Sequence, residues 1–139
     1  MKTLAIFYPV FALAGWTMIV LLLVPIARIG AARRGELSAK DFAYGESSAV
    51  PGRVRIPNRA YMNLLEIPVL FYVVCMVLYA TAGASTLAVL LAWLYVALRV
   101  VHSAIHLTYN NVLHRLFAFV ASNVVLLAIW VVAGRHVLG

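Results

Sequence analysis

With 139 residues, 65% of them hydrophobic and 11% charged, the chain has a mean hydropathy of +1.01. An average soluble domain carries about a quarter charged residues, so eleven Lys+Arg and four Asp+Glu cannot clothe a water-soluble protein of this size. The formal charge of +7 raises the question of nucleic acid, but the basic residues fall between long apolar runs, so topology and anionic lipid account for them and no nucleic-acid partner is expected.

The first predicted element covers residues 4–27, which carry no charge. At about 1.5 Å per residue it is long enough to cross a hydrocarbon core of about 30 Å. Its start imitates a secretory leader, but a leader's apolar region is only about 7–15 residues. This run continues through Val20 to Val24 and reads as a retained span. Residues 28–59 follow as the one sizeable hydrophilic connection, with Gly45, Ser47, Ser48, Pro51 and Gly52 predicting much irregular backbone. The second span covers 60–81 and the third 86–107, joined by a turn near Gly83. The fourth covers 116–133. Continuous apolar runs of about 20, rather than alternating segments of about 10, choose helices over a barrel. The expected fold is therefore an all-α integral membrane protein, one four-transmembrane-helix bundle over 1–139. The lone Cys75 lies inside a span and can form neither an intrachain disulfide nor a cysteine metal cluster.

Seven of the eleven basic residues lie in the 28–59 loop, and Arg115 falls on the same side. Lys2 and Arg135 are alone on the other, so the positive-inside rule puts the loop in the cytoplasm and both termini opposite. Loop and lipid contact go together on this reading. The short termini and connections suit a bacterial inner membrane.

Polar residues within the spans form two stripes. Arg59, Asn63 and Glu66 share one helical face, as do Arg99, His102 and His106. An antiparallel hairpin about Gly83 puts Arg59 level with His106, Asn63 with His102, and Glu66 with Arg99. An isolated charge at that depth is costly, so Glu66 is expected to stay ionised and form a structural ion pair with Arg99. Pro68 removes a backbone donor and lets the helix bend beside the acid. A buried clasp that fixes helix register would explain this pattern, and so would the scaffold of a polar ligand site. His102 and His106 have metal-ligand spacing, but only His114 could serve as a third ligand, so no metal is expected. Arg115 is either an interfacial anchor or a cation at a mouth lined by Arg59 and His106, able to draw an anion and lower a thiol pKa. Asn123 is read as an interhelical hydrogen bond and Trp16 as a packing aromatic.

The run Arg59-Ala60-Tyr61-Met62-Asn63-Leu64-Leu65-Glu66, with Pro68 after it, resembles the R-A-x-x-N-x-x-E signature of the MAPEG family, the membrane-associated proteins in eicosanoid and glutathione metabolism. Arg99, His102, His106 and Arg115 are similar to the family's block on its third and fourth helices. The resemblance implies a homotrimer with glutathione as co-substrate in a cytoplasm-facing cleft between subunits. It implies glutathione contacts from Arg59, Asn63, Glu66, His102 and His106, and a looser match of Arg33 or Arg34 to an arginine that holds a glutathione carboxylate. Arg115 takes the catalytic position, stabilising the thiolate as it attacks a lipophilic electrophile or hydroperoxide. Met62, His106 and Phe119 depart from residues that other members use to contact the ligand, and the proline comes one position early. Two other readings stay open: a non-catalytic member that binds lipid or a partner, and a small proton-coupled transporter using Glu66.

Overall fold

The computed structural model describes residues 2–139, with side chains from Leu4 onward. A 3-10 turn, Lys2–Ile6, leads into α1 (Phe7–Arg33). After a second 3-10 turn at Ala39–Phe42 come α2 (Gly52–Leu65), α3 (Pro68–Ala80), α4 (Thr86–Leu107) and α5 (Val112–Leu138). α2 and α3 together make one pass, so four helical passes are long and apolar enough to cross a membrane. The passes are where the apolar runs predict them, but the helices outrun the runs. α2 starts at Gly52, well inside the segment read as loop, and α5 continues to Leu138. Hydropathy marks the part of a helix that sits in lipid; a helix stops only where its backbone hydrogen bonds stop.

α4 is the hub of the bundle. It packs most closely on α5 and also touches α1 and α2, while α3 leans on α5 and on the N-terminal turn. Small residues on its inner face, Ala88 and Ala92, let neighbouring backbones approach. Above them Tyr95 stacks on Phe71 with ring centroids 4.6 Å apart. Leu13, Val20, Val74, Cys75, Leu78 and Ile129 complete the core. Phe11, Met18, Leu22, Leu90, Val124 and Leu127 face outward. An exterior this apolar is what hydrocarbon solvates. Polar contacts between spans are few and directed. The Trp16 indole donates to Ser103 Oγ at 2.6 Å, tying α1 to α4.

The Glu66–Arg99 ion pair expected from equal depth does not form. Arg99, fully buried, instead donates from Nη2 to the Asn63 backbone oxygen at 2.6 Å and to Asn63 Oδ1 at 2.8 Å. The count along a straight hairpin is out by one helical turn because the second pass is broken. α2 ends at Leu65, Glu66 leaves helical geometry with ψ −96°, and Pro68 begins α3. The break orphans the Asn63 carbonyl, and the guanidinium caps it at the negative end of α2. The same departure turns Glu66 to the outer surface of the bundle.

The connection after α1 is more ordered than its glycines and serines predict. Arg34 bonds Glu36 at 3.0 Å, and the same carboxylate takes Arg53 at the start of α2. Arg28 reaches Glu46 at 3.5 Å and lies over the Phe42 ring. Asp41 accepts from the Ser38 amide and hydroxyl in a capping box and from the Ser47 hydroxyl. The Arg34 hydrogen bond holds the Glu36 carboxyl below its usual pKa, and the Ser38 amide does the same for Asp41. At the other end of the bundle Ala82 takes a positive φ of 57°, and the His136 ring covers Gly83 while Nε2–H donates to the Thr81 carbonyl at 2.9 Å.

Three outcomes are expected. Asn63→Ala removes an acceptor from a buried guanidinium and should cost about 1–3 kcal/mol, whereas Glu66→Gln in the same detergent should change stability by under about 0.5 kcal/mol. Equal losses in thermal unfolding would restore the ion pair. Gly83→Ala must displace the exposed His136 ring, at about 1 kcal/mol for the lost hydrogen bond; in a His136→Ala background the same change should cost almost nothing, as a double-mutant cycle would read. For the loop, depressed carboxylates stabilise above their unfolded pKa and lose that contribution as pH falls through the folded value. Hydrogen exchange at residues 36–47 should therefore quicken below the ordinary carboxylate range and not at neutral pH.

Candidate functional site

Arg59 and Asn63 stand one helical turn apart on α2, and His102 and His106 one turn apart on α4. Arg115 and Phe119 repeat the spacing at the start of α5. The turn between α4 and α5 brings the three pairs together. Asn110 reverses the chain with φ 47°, and Asn111 caps α5 by accepting from the Leu113 and His114 amides at 3.0 and 3.1 Å. Asn110 Oδ1 then accepts from Arg115 Nη1 at 2.7 Å, drawing that guanidinium back over the end of α4.

The result is a cleft of about 370 Å³ lined by Arg59, Asn63, His102, His106, Val112, Arg115, Leu116 and Phe119. Its size falls in the range of small-ligand pockets. No carboxylate lines it. Behind it, Arg99 lies over the Phe119 ring at 5.7 Å from the centroid. His102 is fixed by a hydrogen bond from Nδ1 to the Arg115 carbonyl, 2.9 Å, which leaves the other ring nitrogen as an acceptor. That Nε2 is buried without a partner, as are His106 Nδ1, Arg99 Nε and Arg99 Nη1. Buried polar atoms are rarely left unpaired in folded proteins. Of these, His102 and His106 line the cleft, so two ring nitrogens there are free to pair with a polar group. Cations at the walls and an apolar side on α5 suit an anion, or a thiolate, that must meet an apolar partner.

Five of the residues singled out from sequence therefore converge: Arg59, Asn63, His102, His106 and Arg115. Three do not. Glu66 is turned outward by the helix break. Arg33 is exposed at the end of α1, and Arg34 is bound to Glu36 in the loop. Sequence reasoning singled out Phe119 only as a departure from the family and missed that it forms an apolar wall with Val112 and Leu116, although their i, i+4 and i+7 spacing is visible in the sequence. It also missed Asn110, whose Asn110-Asn111 pair was a turn signal without an obvious partner. Among the described residues no three His, Cys, Asp or Glu side chains come close enough to hold a metal ion. His114 pairs with the Tyr109 hydroxyl at 3.1 Å and does not line the cleft.

Residues 6–135 match the MAPEG family as a whole. Neither the curated proteins nor the solved structures yield a match. Members of this family are generally linked to glutathione and eicosanoid chemistry in membranes, which agrees with a cationic cleft in an apolar bundle. A match running over nearly the whole chain, on a bundle of four membrane-length passes, makes this an integral membrane protein of the MAPEG family.

Proposed function

We propose that the protein is a glutathione-dependent transferase or peroxidase that works on lipophilic substrates within the bilayer. The observation that carries this reading is the cleft itself, in which Arg115 faces Arg59, Asn63, His102 and His106 beside the apolar wall of Val112, Leu116 and Phe119. Glutathione supplies a nucleophilic sulfur, and the chain's part is to favour its anionic form. Arg115 spends one guanidinium N–H on Asn110 and keeps the others for the sulfur. Electrostatic stabilisation of a thiolate by a preorganised cation lowers the thiol's pKa and raises the fraction ready to attack.

With an aryl halide, a carbon–sulfur bond forms, the carbon–halogen bond breaks, halide leaves and the thiol proton passes to water at the cleft mouth. With a hydroperoxide, the thiolate attacks oxygen and the O–O bond breaks to release an alcohol. A second thiol then converts the sulfenic acid to a disulfide and water. Electrophiles dissolved in lipid would approach along α5, whose Val112, Leu116 and Phe117 are exposed.

The reading extends to a homotrimer in which each cleft borders a neighbouring subunit. The position of Glu66 supports this part: a carboxylate on the outer flank of a membrane helix is costly in lipid and cheaper against a protein neighbour. Arg33 and Arg34, remote from their own cleft, would be placed against a neighbour's if they contact the ligand. The basic connection after α1 sits on the cytoplasmic side by the charge bias, with the termini opposite. Lipid, a second and third copy, and a lipophilic small molecule are the partners; the bacterial inner membrane is the setting.

Purified in detergent with glutathione and an aryl halide, the protein should show thiolate absorbance and form conjugate. Arg115→Ala should lower kcat/KM about a hundredfold or more and move the pH–rate profile to higher pH, since more alkali is then needed to ionise the thiol. Thiol binding without turnover on any electrophile would favour a non-catalytic member. Absence of both binding and conjugate at millimolar glutathione would remove the reading.

A further inference from the structure

Arg115 borders two spaces, the inner cleft and a more open basin outside it. It is half-buried, whereas residues 111–114 before it are all exposed. A long cationic side chain at that level has two destinations. It can reach outward to the anionic surface of a membrane, as interfacial arginines do, or inward over the cleft. The local sequence allows both, and the turn between α4 and α5 chooses.

Every polar side chain in that turn but one is spent locally. The Thr108 hydroxyl donates to the Ala104 carbonyl at 2.7 Å. The Tyr109 hydroxyl pairs with His114 at 3.1 Å. Asn111 takes the Leu113 and His114 amides at the start of α5. The backbone of Asn110 closes α4, its N–H donating to the Ile105 carbonyl at 2.8 Å. That bond needs no side chain, and glycine adopts a φ of 47° more readily than asparagine does. The Asn110 carboxamide therefore has no duty in the turn itself. Its hydrogen bond runs to Arg115, Nη1–H donating to Oδ1 at 2.7 Å.

The other end of Arg115 is held as well, because His102 Nδ1–H donates to its carbonyl at 2.9 Å. Backbone and guanidinium are thus both tied on the cleft side. What ties the guanidinium is uncharged. Arg115 belongs to none of the ion pairs among the described residues. The other charged or titratable groups bordering its two spaces are Arg55 and Arg59 from α2 and His102 and His106 from α4, and none is acidic. A carboxylate could hold the guanidinium equally well, but it would cancel much of the positive field that a thiolate needs. An amide orients the cation and leaves its charge whole.

We propose that Asn110 is a positioning residue for Arg115: its neutral amide keeps the guanidinium over the cleft instead of at the membrane surface, and so sets the reactivity of a thiol bound there. The positioning is a property of the fold; its effect on the thiol rests on the transferase reading.

Two variants of the full chain separate geometry from charge. Asn110→Gly keeps the turn and frees the guanidinium; Asn110→Asp keeps an acceptor in place and adds a negative charge. Each is compared with the wild-type protein in detergent once thermal unfolding shows it folded. Modification of Arg115 by phenylglyoxal, read by mass spectrometry, should quicken in Asn110→Gly and not in Asn110→Asp. With glutathione and an aryl halide, Asn110→Gly should lower kcat about tenfold, change KM for glutathione less, and move the pH–rate profile to higher pH. Asn110→Asp should move that profile up by about one unit or more although its guanidinium stays protected. A residue that merely shapes the turn would alter stability and leave the profile in place. Wild-type Arg115 modification and an unmoved profile in Asn110→Gly overturn the proposal. An Asn110→Asp profile that coincides with the wild type does so independently, so the test survives if one variant does not fold. A wild-type protein that forms no conjugate sinks the transferase reading instead, and the phenylglyoxal rates then decide alone whether Asn110 holds Arg115.

Discussion

A fully buried guanidinium must find compensation inside the bundle, and Arg99 finds it at the broken end of a helix. The second pass stops at Leu65, and the backbone oxygen of Asn63 is left without its amide. Arg99 supplies the donor, and the helix supplies partial negative charge from aligned peptide dipoles. Two costly features, a charge without an acid and a helix end without a cap, meet in one contact through Nη2, while Nε and Nη1 of the same guanidinium stay without protein partners. The contact also pins α2 to α4 at the depth where the cleft begins.

From that point the site follows geometrically. Once Asn63 is locked against α4, Arg59 one turn above it is level with the His102–His106 edge. The same edge is tied to α5 through the His102 bond to the Arg115 carbonyl and through the tight turn at Asn110. Three helices are therefore joined by polar contacts at one end and by apolar packing at the other. Such a division suits a membrane protein. Small side chains and ring stacking hold the lipid-depth half, where hydrocarbon provides no drive for helices to associate. Directed hydrogen bonds hold the half that carries the cleft.

The connection after α1 illustrates how charge can be both a topological signal and a structural one. Its arginines outnumber its acids, which biases orientation. Yet each acid is engaged: Glu36 with Arg34 and Arg53, Glu46 with Arg28, and Asp41 with Ser38 and Ser47. Exposed pairs of this kind contribute little individually, but they knit the end of α1 to the start of α2. Of the four basic residues that make no ion pair there, Arg55 and Arg59 face the mouth of the cleft, and Arg33 and Lys40 do not line it.

Membrane residence, four helical passes and the set of polar residues on facing stripes could be read from the order of the amino acids. Each depends on local chemistry: apolar length against bilayer thickness, and the 3.6-residue period that aligns Arg59 with Asn63 or His102 with His106. Even the bend near Pro68 was visible, because proline removes a donor wherever it sits. The partner of Arg99 was not. It depends on how far the second pass unwinds at Glu66, and that is settled by packing against α4 and α5, not by the residues around it. The same holds for the apolar wall and for Asn110, which matter only because a turn delivers them to residues distant in the chain. Periodicity assigns a residue to a face; which faces meet, and in what register, is decided when the whole bundle minimises its unpaired polar groups together.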